Sequence, residues 1–80
     1  MEIEVGNRVH LRKLIPTSPG EISDEIHRVR GEEPVVYAVE KISGRGDYRK
    51  YHLVAKNGRG SRQLIPHHEV ARLVPIEESP

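Results

Sequence analysis

The residues best suited by type to acid–base or metal chemistry are His67, His68 and Glu69, three in a row. Catalysis needs a nucleophile or an acid–base pair converging on one substrate atom. Adjacent side chains on a turn diverge, so this triplet does not converge. Nor does it have the i, i+4 spacing with which two histidines on a helix hold a metal. The plainer account is that His67 and His68 fill a surface turn or cap the domain. His52 is near enough in sequence to approach them, but nothing in the pattern requires it. His10 and His27 stand alone and read as surface residues. The sequence therefore offers no catalytic residue, no metal site and no cofactor motif, and the expectation is a protein that is not an enzyme.

Guanidinium and ammonium groups make the second constellation. Arg45, Arg49 and Lys50 surround one turn, and Arg59 and Arg62 surround another. Arginine is planar, always charged and rich in donors, which suits phosphate oxygens. Gly44-Arg45-Gly46 and Gly58-Arg59-Gly60 repeat one pattern, in which glycines allow close backbone approach. Lys41, Lys56, Arg8 and Arg12 extend the basic set. The competing account is that the glycines serve turn geometry and the arginines keep the loop tips soluble.

Tyr37, Tyr48 and Tyr51 are the only aromatics. Tyr37 and Tyr51 lie among apolar strand residues and read as core. Tyr48, beside a turn, is the candidate for stacking on a base. Without Trp or Phe, a cage for methylated lysine or a groove for proline-rich peptides lacks material.

The elements that must hold these residues are read from hydrophobic period. Ile3, Val5, Val9 and Leu11 alternate with polar residues, which is a half-buried strand with an irregularity at Gly6-Asn7. Residues 15–33 are a long connection broken by Pro16, Pro19, Gly20 and Gly31. Within it Ile22, Ile26 and Val29 fall at i, i+4 and i+7, the spacing of a helical face. At roughly two turns, such a helix is marginal, so the expectation is an ordered loop with at most one helical turn. Pro34 opens a strand running through Ile42, Ser43 to Asp47 turns, and Tyr48 to Lys56 returns with Tyr51, Leu53 and Ala55 on one face. Asn57-Gly58 signals a tight hairpin into a strand from Gly60 to Ile65. Pro66 to Glu69 predicts a 3₁₀ turn, and Val70 to Val74 a short last strand. One all-β domain over residues 1–76 follows, with a frayed tail at 77–80.

Five short strands with a long first loop and a 3₁₀ turn before the last describe an SH3-like barrel. An OB-fold places a helix where this chain has Asn57-Gly58. A chain of 80 residues buries only about 60% of its unfolded surface, so the core is marginal. No cysteine is present to supplement it and no apolar run approaches the roughly 20 residues of a membrane span. The acidic, alternating start is unlike a signal peptide. The setting expected is intracellular, cytoplasmic or nuclear, without a membrane.

Charge is balanced overall, 13 Lys and Arg against 12 Asp and Glu, but it is separated along the chain. Lys41 to Arg62 holds seven cations and one anion, Asp47, whereas Glu21 to Glu33 holds five anions and two cations. A polarised field of this kind steers an anionic ligand to one face.

Three segments carry a resemblance. Val5-Gly6-Asn7-Arg8-Val9-His10-Leu11-Arg12 resembles the "GD-x-V-x-L-R" opening of the C-terminal domain of integrases from retroviruses and LTR retrotransposons. Pro34 to Ile42 is similar to the "GPYxVxxI" strand after the long loop there, and His68 to Pro75 to the closing "HVxxLKP", with Glu69 as an extra residue. The resemblance implies an SH3-like barrel without catalytic carboxylates that binds DNA and contacts other subunits. The first expectation is thus a nucleic-acid-binding module, with DNA ahead of RNA, using Arg45, Arg49, Lys50, Arg59 and Arg62. The alternative is a protein-interaction or homodimerising module using an apolar strand edge and the acidic loop.

Overall fold

Alternation of apolar and polar side chains drives the architecture. A computed structural model describes residues 3–57 and 61–76. Strand β1 (Arg8–Leu14) buries Val9 and Leu11 and turns Arg8 outward. Strands β5 (Tyr37–Ser43), β6 (Lys50–Ala55) and β7 (Arg62–Pro66) form an antiparallel meander. On β6 the inward face is Tyr51, Leu53 and Ala55, as the period-two pattern predicts. Strand β8 (Leu73–Pro75) returns to pair with β1, which also pairs with β5. Val9 is flanked by Tyr37 on one edge and Pro75 on the other. The core is Val9, Leu11, Tyr37, Val39, Tyr51, Leu53 and Ile65, each at most 2% exposed, with Ile3, Val35, Ala55 and Leu73 around them. The radius of gyration, 12.4 Å, is near the roughly 12 Å of a compact chain this long.

The five expected strands are present with shifted bounds, and three more occur in the long connection. Strand β2 (Ile22–Ile26) pairs with β1 through Arg12↔Ile26 and Leu14↔Ile22. Strands β3 (Arg28–Val29) and β4 (Glu33–Pro34) form a two-strand ladder. The connection, expected as an ordered loop with at most one helical turn, is instead largely extended, with Ile22 and Ile26 in β2 and Val29 in β3. A two-turn helix cannot offset its own nucleation cost, whereas an extended segment satisfies its backbone groups against β1. Ile3 and Val5 lie outside β1: Asn7 N–H donates to Glu4 O at 3.1 Å and its side-chain oxygen accepts from Glu4 N–H at 2.8 Å, closing a turn at Gly6, φ +95°.

Two 3₁₀ segments complete the described residues. The first is Gly46–Tyr48, between β5 and β6. The second is His67–Arg72, kinked at Glu69, in the place predicted from Pro66 but longer. It takes in residues 70–72, expected in the last strand. Asn57 ties the β6–β7 connection to the start of β5, accepting from Val36 N–H at 2.9 Å and donating to Pro34 O at 3.1 Å. Gly58, Arg59 and Gly60, the remainder of the expected hairpin, lie outside the described residues, as does the tail from 77. Among the described residues no ladder joins β7 to β8, and no helix is long and apolar enough to cross a membrane.

Candidate nucleic-acid interface

Register decides which basic side chains meet. Across β5–β6–β7 the outward Cα partners fall in three rows: Ala38, Val54 and Arg62; Lys41, His52 and Leu64; Ser43, Lys50 and Pro66. Arg8 of β1 opposes Ala38 and extends the first row. A bulge between Val39 and Lys41 is essential to this arrangement. With Val39 buried, regular alternation would turn Lys41 inward. The extra residue, Glu40, restores Lys41 to the outer face.

The β5–β6 connection crowns one end of that face. Arg49 Nε–H donates to Gly46 O at 3.0 Å, holding the guanidinium over the turn. Tyr48 is 86% exposed. A groove of about 430 Å³ runs here, lined by Ser43, Tyr48, Arg49, Lys50, Pro66 and His68, with Gly44 and Asp47 at the turn. Arg45 is exposed on the same connection. Six cations (Arg8, Lys41, Arg45, Arg49, Lys50, Arg62) therefore share this face and its end with two carboxylates, Glu40 and Asp47. Arg62 is already ion-paired with Glu40. A phosphate must compete for it, and both partners are exposed enough for the pair to be weak.

The other candidates are not brought to this cluster. Arg12 stands farther along β1, where β2 is the neighbour, and its Nη1 donates to Ala71 O at 3.3 Å. Lys56 is exposed beyond the opposite end of β6. Arg59 is outside the described residues. Tyr37 and Tyr51 are core, as expected.

His67 and His68 diverge, as predicted for neighbours on a turn. His67 Nδ1 meets Tyr51 Oη at 3.1 Å and its Nε2 lies 3.9 Å from Asp47, whereas His68 is exposed beside Glu69. His52 does not join them but hydrogen-bonds Ser43 Oγ at 2.9 Å on the outer face. His10 and His27, expected on the surface, are half-buried. His10 Nδ1–H donates to Val35 O at 3.0 Å. The His27 ring packs edge-on against Tyr37, and burial, then the charges of Arg72 and Lys13, hold its pKa below the ordinary value. Among the described residues no three His, Asp or Glu side chains gather in a metal-binding cluster.

Arg72 escaped sequence reasoning. It is buried, its Nε donates to Arg12 O at 2.9 Å and its Nη1 to Glu69 Oε1 at 2.8 Å. The i, i+3 spacing from Glu69 was the available signal. Comparison with known proteins finds nothing similar: no family model, no curated protein and no solved structure matches the chain.

Proposed function

We propose that this chain is a non-catalytic nucleic-acid-binding module that contacts phosphates through the outer face of β5–β6–β7. The observation that carries the reading is the gathering of Lys41, Lys50 and Arg62 on that face, with Arg45, Arg49 and exposed Tyr48 at its end. Cations presented from a sheet face and a glycine-containing turn suit a phosphate backbone, and an exposed phenol ring suits a splayed base. Such contacts carry little sequence information.

An SH3-like barrel is the architecture we propose. Supporting it are the pairing sequence β1–β5–β6–β7, the return of β8 to β1, and the 3₁₀ segment before β8. Kinship with the integrase C-terminal domain belongs to the same proposal and rests on the segments from Val5, Pro34 and His68 that resemble it. DNA is accordingly the first nucleic acid to try.

The test is fluorescence anisotropy with a labelled random duplex and a labelled single strand, at low and near-physiological salt. Binding should be saturable and weaken linearly in log salt. Replacing Lys41, Arg45, Arg49 and Lys50 together by Gln should flatten the duplex slope by roughly 0.9 for each phosphate no longer neutralised. Tyr48→Ala should cost about 1–3 kcal/mol on the single strand. Unchanged affinity and slope in the four-site variant would sink the assignment.

A second reading has one specific support. Strand β7 ends the strand order, and outward-facing Leu64 on it is 52% exposed. A strand at a sheet edge with an exposed leucine suits a protein partner or a second copy of the chain. It predicts association that tolerates salt and is abolished by Leu64→Lys.

A further inference from the structure

The inner face of the sheet holds a second feature, independent of the outer one. Gln63 of β7 opposes Leu53 and so faces inward, away from Arg62 and Leu64. Between it and the long connection lies a solvent-open cavity of about 340 Å³. Tyr37 and Val35 supply its apolar wall, while Lys13, His27, Arg28, Ser61 and Gln63 supply hydrogen-bond donors. Among the described residues that line it there is no aspartate or glutamate. Glu32 and Glu33 line an adjoining groove that shares Arg28.

Three of its donors come from strands, Lys13 of β1, Arg28 of β3 and Gln63 of β7, while His27 and Ser61 lie just outside them. Lys13 sits near the end of β1, and its ammonium is 3.6 Å from Glu25, a highly exposed carboxylate. Arg28 Nη1 donates to Glu32 O at 3.2 Å, which anchors one arm of its guanidinium. His27 is fixed through its backbone, donating to Leu11 O and accepting from Val35 N–H, and its ring stands edge-on to Tyr37 at 6.4 Å.

We propose that this cavity binds a phosphate monoester, with Lys13 and Arg28 matching the dianion and His27, Ser61 and Gln63 donating to its oxygens. Two full positive charges suit a dianion better than a single carboxylate. The volume exceeds that of the phosphate group alone and leaves room for the esterified carbon beside Val35 and Tyr37.

Linkage supplies the readout. Burial first, then the charges of Arg72 and Lys13, depress the pKa of His27. The charged groups around the imidazole are Lys13 from β1, Arg28 beside it and Arg72 from the second 3₁₀ segment. Glu25 and Glu69 partly offset Lys13 and Arg72 through their ion pairs. A bound phosphate anion offsets the repulsion from Arg72 and Lys13, so occupancy should raise the His27 pKa.

The experiment follows the His27 ring resonances by NMR across pH, in the full chain. Inorganic phosphate and phenyl phosphate are the probes, with acetate and chloride at matched ionic strength as controls. Both phosphates should raise the His27 pKa saturably, and phenyl phosphate should act at lower concentration. Lys13→Gln and Arg28→Gln, both at exposed positions, should each weaken the effect by about tenfold. Lys41→Gln on the outer face should leave it intact. A His27 titration identical in phosphate and chloride would overturn the proposal. So would equal action by acetate, or undiminished binding by the Lys13 and Arg28 variants. Duplex binding by Lys13→Gln separates this site from the outer face: it should be retained whichever way the phosphate titration falls.

Discussion

Tyr51 Oη, on a side chain 2% exposed, stands 3.1 Å from Nδ1 of His67, the first residue of the second 3₁₀ segment. The two rings stack with centroids 6.2 Å apart. This pairing and the bond from His67 N–H to Arg49 O at 2.9 Å tie both 3₁₀ segments to the core. Tyr51→Phe removes the hydroxyl and leaves a half-buried imidazole nitrogen without its partner. It should cost about 1 kcal/mol in urea denaturation. A double-mutant cycle with His67→Ala should return a coupling energy of about 0.5–1 kcal/mol.

Arg72 holds the end of the second 3₁₀ segment to β1 through Arg12 O while its charge is met by Glu69. Arg72→Ala strands a half-buried carboxylate and an unmet carbonyl, and should destabilise by about 3 kcal/mol. Replacing both charges, Glu69→Leu with Arg72→Leu, should cost much less, because no charge is then left uncompensated. Chemical denaturation of the single and double variants decides it: equal losses in the two would refute the pairing argument.

Much of the meander was legible because its strands obey period two. Lys50 to Ala55 alternates cleanly, so the inward placement of Tyr51, Leu53 and Ala55 followed from sequence. The 3₁₀ turn was legible because Pro66 cannot donate to a ladder. The long connection was not. Ile22 and Ile26 are four apart, an interval that shares a face in a helix and in a strand alike, so spacing could not choose. Pairing with β1 chose, Arg12 with Ile26 and Leu14 with Ile22, across a connection too long to read as a tight hairpin. The outer basic face was only half legible, since Lys41 joins it through a bulge that leaves no sequence signature. The inner cavity was not legible at all: Lys13, His27 and Gln63 come from separate parts of the chain that only the topology brings together.

Gly44 shapes the turn that presents Arg45, Tyr48 and Arg49. Its φ is +80°, and a Cβ there would overlap the carbonyl oxygen of Tyr48. Gly44→Ala should therefore cost about 2 kcal/mol or more and displace the turn, lowering nucleic-acid affinity as well. Gly46 also has positive φ, +55°, but a Cβ there meets nothing within 4 Å. Gly46→Ala should cost only about 1 kcal/mol. Thermal melts and anisotropy on the two variants test the contrast. Equal effects would show that backbone conformation alone, and not the close approach to Tyr48, constrains position 44.

His27 makes stability depend on pH in a direction fixed by its environment. Its folded-state pKa lies below the ordinary 6.5 of an exposed histidine. Below that value the unfolded chain binds more protons than the folded one, so stability falls as the solution is acidified. The contribution is fully present above pH 6.5 and disappears as pH falls through the lowered folded value. Carboxylates titrate lower still and add their own slope, so the informative quantity is a difference. In His27→Gln, stability between neutral pH and about pH 5 should fall less than in the parent chain. Phosphate should shrink that same difference if the inner cavity holds it, because a bound phosphate anion raises the proton affinity of the imidazole. Urea unfolding across this pH range, with and without phosphate, checks both. A parent and variant that lose stability in parallel would show that His27 is not held neutral by burial and by Arg72 and Lys13.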